Sequence, residues 1–389
     1  MENILITDSD YKHALGAVRS LGRENYKIFV VARKKNSFCS KSKYCYKEIV
    51  LPGYTETSFK EELSNCLSSN NIDVLMPVGA NSFKHLVPLK KEIEKHTPAK
   101  MVSVEEDKLN LCLSKERTYR YAEKINIPVP ASFYPRNREE VPGISDRVAY
   151  PCVIKGKYDV GFNIVAYAYS PADLLEKYDK LCNRYNLFES EQLPLIQEYI
   201  AGDGYGFFAV YNKGKCGSTF QHHRLREMPP SGGYSVAAES AKNRAVHEYG
   251  KKLLSALNWH GVAMVEFKVN HEGVPVLMEV NPKFWGSLDL AIAAGVNFPL
   301  DLVKIARGED VVYSENYKFP FRYHWPCDGD LRHMFVNPKK CAAVMGDCVN
   351  PRVRSNLWFR EDPKMVWFQF LFMFKRLAVR IRDKIRSKR

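Results

Sequence analysis

Glu266, Glu279, Asn281 and Lys283 are the residues of this 389-residue chain whose types and spacing most directly suggest chemistry. They fall in WHGVAMVEFKVNHEGVPVLMEVNPKFWGS, residues 259–287, where two alternating runs flank Asn270-His271-Glu272-Gly273. Alternation with period two around a turn-forming group predicts a β-hairpin. Val265, Phe267 and Val269 share one face of the first run; Val274, Val276, Met278 and Val280 share one face of the second. If these sets meet on the buried side, Val269 stands opposite Val274 and Glu266 opposite Leu277. Glu279 is then the diagonal neighbour of Glu266, about 7–8 Å away. Two carboxylates and an amide oxygen on one face suit Mg²⁺, which takes oxygen ligands at about 2.0–2.1 Å and often shares them with substrate phosphates. The plain alternative is a solvated acidic face. Lys283 adds a cation two residues past Asn281, in a glycine-containing turn.

Other candidates stand further up the chain. Lys155 closes the apolar run of YPCVIKG before a glycine. An ammonium beside free backbone N–H groups suits a polyphosphate, although exposed strand-end lysines are commonplace. Arg224 and Arg226 share one face of the extended stretch QHHRLRE, and guanidinium forks match carboxylate and phosphate. His222, His223 and Glu227 follow no metal-ligand spacing. No Cys or Ser stands in a triad-like setting.

The elements that must position these groups read as alternating strands and helices. Strands over 3–7, 27–32, 49–52 and 74–77, with helices over 11–21 and 59–68, imply a parallel sheet with crossovers. The Rossmann glycine fingerprint is missing from Thr7-Asp8-Ser9-Asp10, which argues against dinucleotide binding there. A helix over 108–124 contains Lys115. Strands over 150–157, 165–169, 193–200 and 207–211 follow, with Met228–Tyr234 as a mobile loop. A helix over 243–257 leads into the hairpin, and 288–305 supplies helical cover.

Composition describes an ordinary globular protein. The net charge is +14, but Lys375–Arg389 holds eight Lys/Arg against one Asp, so half the excess sits in the last fifteen residues. The charge therefore belongs to a tail, and nucleic acid is not an expected partner. Ten scattered Cys without a CxxC pair suggest reduced thiols in the cytoplasm. An export signal is not expected from MENILITDSD, and no apolar run is long enough to span a bilayer. The tail joins an apolar stretch, MVWFQFLFMF, to LAVRIRDKIRSKR, with Leu377, Ile381 and Ile385 at helical spacing. Such a segment suits the inner surface of an anionic membrane; the alternative is packing on the body.

The parts in order (Lys115 before INIPVP, then YPCVIKG, LIQEYIAGDG and MVEF…VLMEVNPKFWGS) resemble the ATP-grasp family over residues 1 to 310. MEVNPKFWGS and HHRLREMPPSGG look most like a branch associated with surface-polysaccharide biosynthesis. The resemblance implies α/β and α+β architecture: a pre-ATP-grasp Rossmann-like domain, 1–104; a small-lobe region, 105–195; a large lobe with the hairpin, 196–310; and an extension with a basic amphipathic tail, 311–389. It implies that Lys115 and Lys155 contact nucleotide phosphates. Gln197, Glu198 and Ile200 correspond to the adenine-recognising strand, Asp203 to the ribose ligand. Glu266, Glu279 and Asn281 correspond to ligands of one or two Mg²⁺, with Mn²⁺ a substitute. Lys283 stands where the family usually carries an arginine; charge is kept and the bidentate fork lost. The loop Lys157 to Gly161 is poorer in glycine than usual.

The implied activity is an ADP-forming carboxylate–amine ligase that passes through an acyl phosphate, with Arg224, Arg226, Lys283 and Ser287 holding the carboxylate and the transferred phosphoryl group. A lipid-linked glycan or capsule precursor would suit the tail, and a homo-oligomer is compatible. Two alternatives stand beside it. One is a non-catalytic ATP-binding scaffold at the membrane. The other is carboxylation or carbamoyl-phosphate-type chemistry, disfavoured by the lack of an added domain for biotin or ammonia tunnelling.

Overall fold

The computed structural model describes residues 2–158, 164–189, 192–357 and 359–386. Four short strands open the chain: β1 Asn3–Ile6, β2 Lys27–Ala32, β3 Cys45–Val50 and β4 Val74–Met76. They pair in parallel, in the order β3-β2-β1-β4. Ile4, Ile6 and Val30 face Leu15, Val18 and Leu21 of the helix Lys12–Arg23. Leu5, Phe29 and Val31 face the other way, onto Leu63 and Leu67 of the helix Phe59–Ser69. Burial on both faces is why β1, β2 and β4 read as continuous apolar runs.

The single helix expected over 108–124 is two. Glu106–Leu113 and Lys115–Lys124 are divided at Ser114, whose backbone is extended. The Ser114 hydroxyl accepts a hydrogen bond from the Arg117 amide at 3.3 Å, the capping role serine favours over a helix interior. Lys115 thereby falls at a helix start, with its amide bonded to the Lys157 carbonyl at 3.1 Å.

A small antiparallel sheet follows: β5 Ser132–Phe133, β6 Cys152–Lys155, β7 Val165–Ala168 and β8 Leu195–Glu198, in the order β5-β8-β6-β7. The helix Pro171–Tyr185 covers it with Leu174, Tyr178 and Cys182.

The large sheet holds β9 Asp203–Asn212, β10 Lys215–Met228, β11 Tyr234–Ser240, β12 Gly261–Val269, β13 Pro275–Asn281, β14 Arg322–His324 and β15 Arg354–Ser355. Their order is β13-β12-β9-β10-β11-β14-β15. Alternation along β9 sends Phe207, Ala209 and Tyr211 to one core, with the helix Arg244–Ala256 and Trp259. Phe208 and Val210 enter the other, which they share with the first sheet and with Leu288–Ala294 and Phe298–Ala306. One apolar core thus joins the N-terminal sheet to the large one.

The residues beyond 310 add strands and a long helix. β14 and β15 lengthen the large sheet, and the 23-residue helix Lys364–Arg386 lies back across the body. Met365, Gln369 and Phe372 sit on its packed side; Phe372 meets Phe38 at 4.9 Å, and Arg376 pairs with Asp328 at 2.9 Å. Its opposite side leaves Trp367, Leu371 and Phe374 exposed. All ten cysteines are free thiols.

Candidate functional site

A cavity of about 620 Å³ lies between β6–β7 of the small sheet and β10, β12 and β13 of the large one, within the range of small-molecule sites. The turn Met228–Tyr234 closes one end. It is tied to the small sheet, since the Tyr167 hydroxyl donates to the Ser231 carbonyl.

β12 and β13 form the expected hairpin. The Asn270 side chain accepts from the amides of Glu272 at 3.1 Å and Val274 at 2.8 Å, and Gly273 supplies a φ of +79°. The register differs from the expected one. Val269 pairs with Pro275, Phe267 with Leu277 and Glu266 directly with Glu279, so Met278 is the extra residue of a β-bulge. The Tyr119 hydroxyl donates to the Met278 carbonyl at 2.6 Å. Leu277 and Val280 therefore enter the core with Val265 and Phe267, while Met278 and Glu279 face the cavity. The acids are opposite, not diagonal.

Like charges directly opposite on a sheet repel, and the neighbours show how this is met. Arg224 reaches Glu266 at 2.5 Å and Glu227 at 2.9 Å. Asn281 donates its amide to Glu279 at 2.6 Å, and its oxygen accepts from Lys283 at 3.3 Å. Burial raises the Glu266 pKa against the pull of Arg224, and the facing Glu279 raises it further. Glu279 moves the other way: burial pushes it up, but Lys115, the Asn281 amide and Lys283 hold it below the ordinary carboxylate range. Lys155 ends β6 with its ammonium on Gln197 Oε1 at 3.0 Å. Burial, and then Lys115, lower its pKa to about 8.

Of the residues singled out by sequence, Lys115, Lys155, Arg224, Glu266, Glu279, Asn281, Lys283 and Ser287 line this cavity. Arg226 does not. Register shifts on both sides of it break the alternation of β10, so Arg224 and Glu227 share the cavity side and Arg226 turns away. Its guanidinium forks onto Asp330 at 2.7 Å and takes Asp347 at 2.6 Å, fully within the protein. Gln197 is buried beneath Lys155 and donates to Ser132 at 3.0 Å. Glu198 accepts from the Ala131 amide at 2.9 Å, and Asp203 is exposed 3.7 Å from His223. Neither these three nor Ile200 lines the cavity. Asp159–Gly161 of the expected phosphate-covering loop lie outside the described residues.

Lys268, Glu227, Tyr167 and Trp285 line the cavity without having been singled out for it. Lys268 was reachable, because it follows Glu266 by two on the same strand face. Glu227 was not, since only the irregularity in β10 brings it there.

Among the described residues no group of three or more His, Cys, Asp or Glu could hold a metal. His222 is buried, and burial pushes its pKa well below the usual value; neither ring nitrogen has a partner among the described residues. The acids of the hairpin with Asn281 therefore cannot close a metal shell alone. As an all-oxygen set they fit a hard cation that keeps water and phosphate ligands, which is Mg²⁺ behaviour.

Residues 194–326 match the model of a family described as "ATP-grasp in the biosynthetic pathway with Ter operon". The carbamoyl phosphate synthase large chain of Methanosarcina barkeri is 23% identical over 233 residues, 57% of this chain and 21% of that one. The chain thus spans about a fifth of that relative's length, and 10% of its Methanosarcina mazei counterpart's. A biotin carboxylase complex from Campylobacter jejuni superposes with a TM-score of 0.69 at 16% identity, covering 82% of this chain and 74% of the other. An L-amino acid ligase from Bacillus licheniformis gives 0.60 at 13%, covering 79% and 74%. The chain has the ATP-grasp fold.

The lowered pKa of Lys155 has a signed consequence for stability. With a folded value of about 8 against an ordinary 10.5, the folded chain binds fewer protons than the unfolded one between those values. Stability then rises with pH across that window, and the burial penalty is felt in full below it. Urea denaturation of wild type and Lys155→Met at pH 7 and pH 10 should show the wild type gaining about 1–3 kcal/mol relative to the variant.

Proposed function

We propose that the chain is an ATP-dependent, ADP-forming carboxylate–amine ligase that works through an acyl phosphate. The observation that carries this is the pair Glu266 and Glu279, directly opposed in a cavity whose wall also holds Lys115, Lys155, Lys268 and Lys283. Opposed carboxylates call for a divalent cation, and a ring of ammonium groups calls for a polyanion; magnesium-bound ATP answers both.

Glu266, Glu279 and Asn281 would hold Mg²⁺, one ion or two, which supplies neutralisation of charge on the phosphates when bound. Lys115, Lys155 and Lys268 hold the triphosphate. The adenine would lie toward Gln197, Glu198 and Ile200, with Asp203 near the ribose. Arg224 and Ser287 orient the substrate carboxylate, and Lys283 holds the transferring phosphoryl group as a point charge. A carboxylate oxygen attacks the γ-phosphorus, the bond to the β–γ bridging oxygen breaks and ADP leaves. The amine then attacks the acyl carbon, phosphate departs and the amine's proton passes to solvent. Positioning and electrostatics carry the reaction, with no covalent enzyme intermediate.

The L-amino acid ligase likeness supports amide formation; the matched family's description supports a biosynthetic setting. A capsule or envelope precursor, including a lipid-linked glycan, is the substrate reading that the C-terminal helix favours. Among the described residues no helix is long and apolar enough to cross a membrane. The helix Lys364–Arg386 instead presents Trp367, 75% exposed, with Leu371 and Phe374 on one stripe beside Lys364 and Lys375. That pairing of apolar and basic groups suits an anionic leaflet. Carbamoyl-phosphate-type chemistry is the second reading, favoured by the Methanosarcina likeness.

Incubation with Mg²⁺, ATP and hydroxylamine, over pools of amino acids, uronic acids and bicarbonate, separates these readings. We expect ADP and a hydroxamate together from one carboxylate pool, both abolished in Glu279→Ala. ADP release that needs bicarbonate and yields no hydroxamate would favour the second reading. ATP binding with turnover on no pool, lipid-linked glycans included, would favour a non-catalytic scaffold. For the tail, sedimentation with anionic phosphatidylglycerol vesicles should be weakened about tenfold or more by Trp367→Asp, the scale of one lost aromatic burial. Equal sedimentation of both proteins would remove the membrane assignment.

A further inference from the structure

Past β14, two short helices, Asp330–Val336 and Cys341–Val349, are joined by the turn Pro338–Lys340. The second is turned inside out. Ala342, Met345 and Val349 recur at the three- and four-residue spacing that makes one helix face, and all are exposed, Val349 by 77%. Val344 and Asp347 are buried on its other side. The one charged residue of this helix thus points inward, onto Arg226 at 2.6 Å and Arg322 at 3.0 Å, while its apolar stripe points outward. The first helix ends on Phe335, 82% exposed, and Val336, also exposed. A helix of a globular protein ordinarily turns its apolar side to the core, so a stripe left outside marks a surface that something apolar covers.

What surrounds the stripe names the covering. Residues 329–360 hold six Lys/Arg, namely Arg332, Lys339, Lys340, Arg352, Arg354 and Arg360, and every one is exposed. The acids of this stretch are Asp330 and Asp347, both buried on Arg226. Its outer surface is therefore apolar and cationic, with no carboxylate exposed. A second copy of the chain is a poor occupant, because a two-fold contact would set like charges against one another. Nucleic acid would leave the aliphatic Val336, Met345 and Val349 unused. An anionic lipid leaflet matches both halves of the pattern, with hydrocarbon for the stripe and headgroups for the cations.

We infer that the pair Asp330–Val336 and Cys341–Val349 is a membrane-seating element in its own right, whose Phe335, Val336, Met345 and Val349 enter an anionic leaflet. The inference rests on the membrane reading of the C-terminal helix and deepens it by tying the leaflet to the site. The pair directly follows the turn Pro326–Asp328, on which the helix Lys364–Arg386 also packs. His333 Nδ1 donates to the Glu227 carbonyl at 2.9 Å, and a Cβ on Gly329 would stand 3.1 Å from the Tyr234 hydroxyl. Glu227 and Tyr234 belong to the cavity wall. Seating the pair therefore brings the cavity to the leaflet, where a lipid-linked substrate resides.

The full chain is sedimented with vesicles of phosphatidylcholine alone and of phosphatidylcholine mixed with phosphatidylglycerol. We expect binding to the anionic vesicles only, weakened about tenfold or more by Phe335→Asp, which forfeits one aromatic burial. Trp367→Asp should keep part of the binding, and adding Phe335→Asp and Val349→Asp to it should remove the rest. These positions are exposed, so thermal melting of the variants should match wild type and exclude loss of fold as the cause. Phe335→Asp and Val349→Asp binding as wild type does would overturn the inference while leaving the C-terminal helix as the anchor. Absence of anionic-vesicle binding in wild type would overturn this inference and the membrane reading together. Light scattering without lipid tests the other occupant: a dimer dispersed by Phe335→Asp would overturn the inference in favour of self-association.

Discussion

Two carboxylates forced to face one another across a pair of strands set the terms for the rest of the site. Glu266 and Glu279 are paired directly in the β12–β13 register. Their repulsion is met by Arg224 on one side and by Lys115, Asn281 and Lys283 on the other. Such an arrangement gains little for an empty protein. It becomes useful when a divalent cation takes the position between the acids and brings phosphates to the lysines around them. The Met278 bulge and the Tyr119 hydroxyl that holds its carbonyl act through this pairing, because without the extra residue Glu266 would stand opposite another side chain.

The architecture serves the same end. A core shared between the first sheet and the large sheet fixes the helix Lys12–Arg23 against the cavity wall. The small sheet contributes Lys155 from its own separate core, and its tie to the large sheet includes the Tyr167–Ser231 hydrogen bond. The cavity therefore lies between two bodies with independent cores, and cations from both converge on it. The C-terminal helix packs on Phe38, in the connection between β2 and β3, and pairs with Asp328, just past β14, while its far side stays open.

Much of this was legible in the sequence, and what was not has a common cause. Strand alternation located the hairpin and put its acids on one face; the same alternation could have marked Lys268, two residues past Glu266, but that lysine was not singled out. The parallel first sheet followed from the order of strands and crossovers. What failed was the assumption that alternation runs unbroken. A turn one residue longer than expected, with Val269 on Pro275, and the bulge at Met278 together turned a diagonal acid pair into a direct one, and the irregularity around Arg226 sent that arginine into a buried pair with Asp330 and Asp347. A bulge is decided by packing on both faces of a sheet, which a one-dimensional period does not encode. The break at Ser114 was readable in principle, since serine prefers a helix start to a helix interior.

The most direct measurement is a calorimetric titration of the chain with a non-hydrolysable ATP analogue, with and without Mg²⁺, in wild type and in Glu279→Gln. Loss of supporting groups around metal ligands already costs about 10–100-fold in affinity, so removing a ligand should cost at least about tenfold. The account predicts binding that is strengthened by Mg²⁺ in wild type and loses that strengthening in the variant. Binding of equal strength with and without the metal, or unaffected by Glu279→Gln, would contradict it.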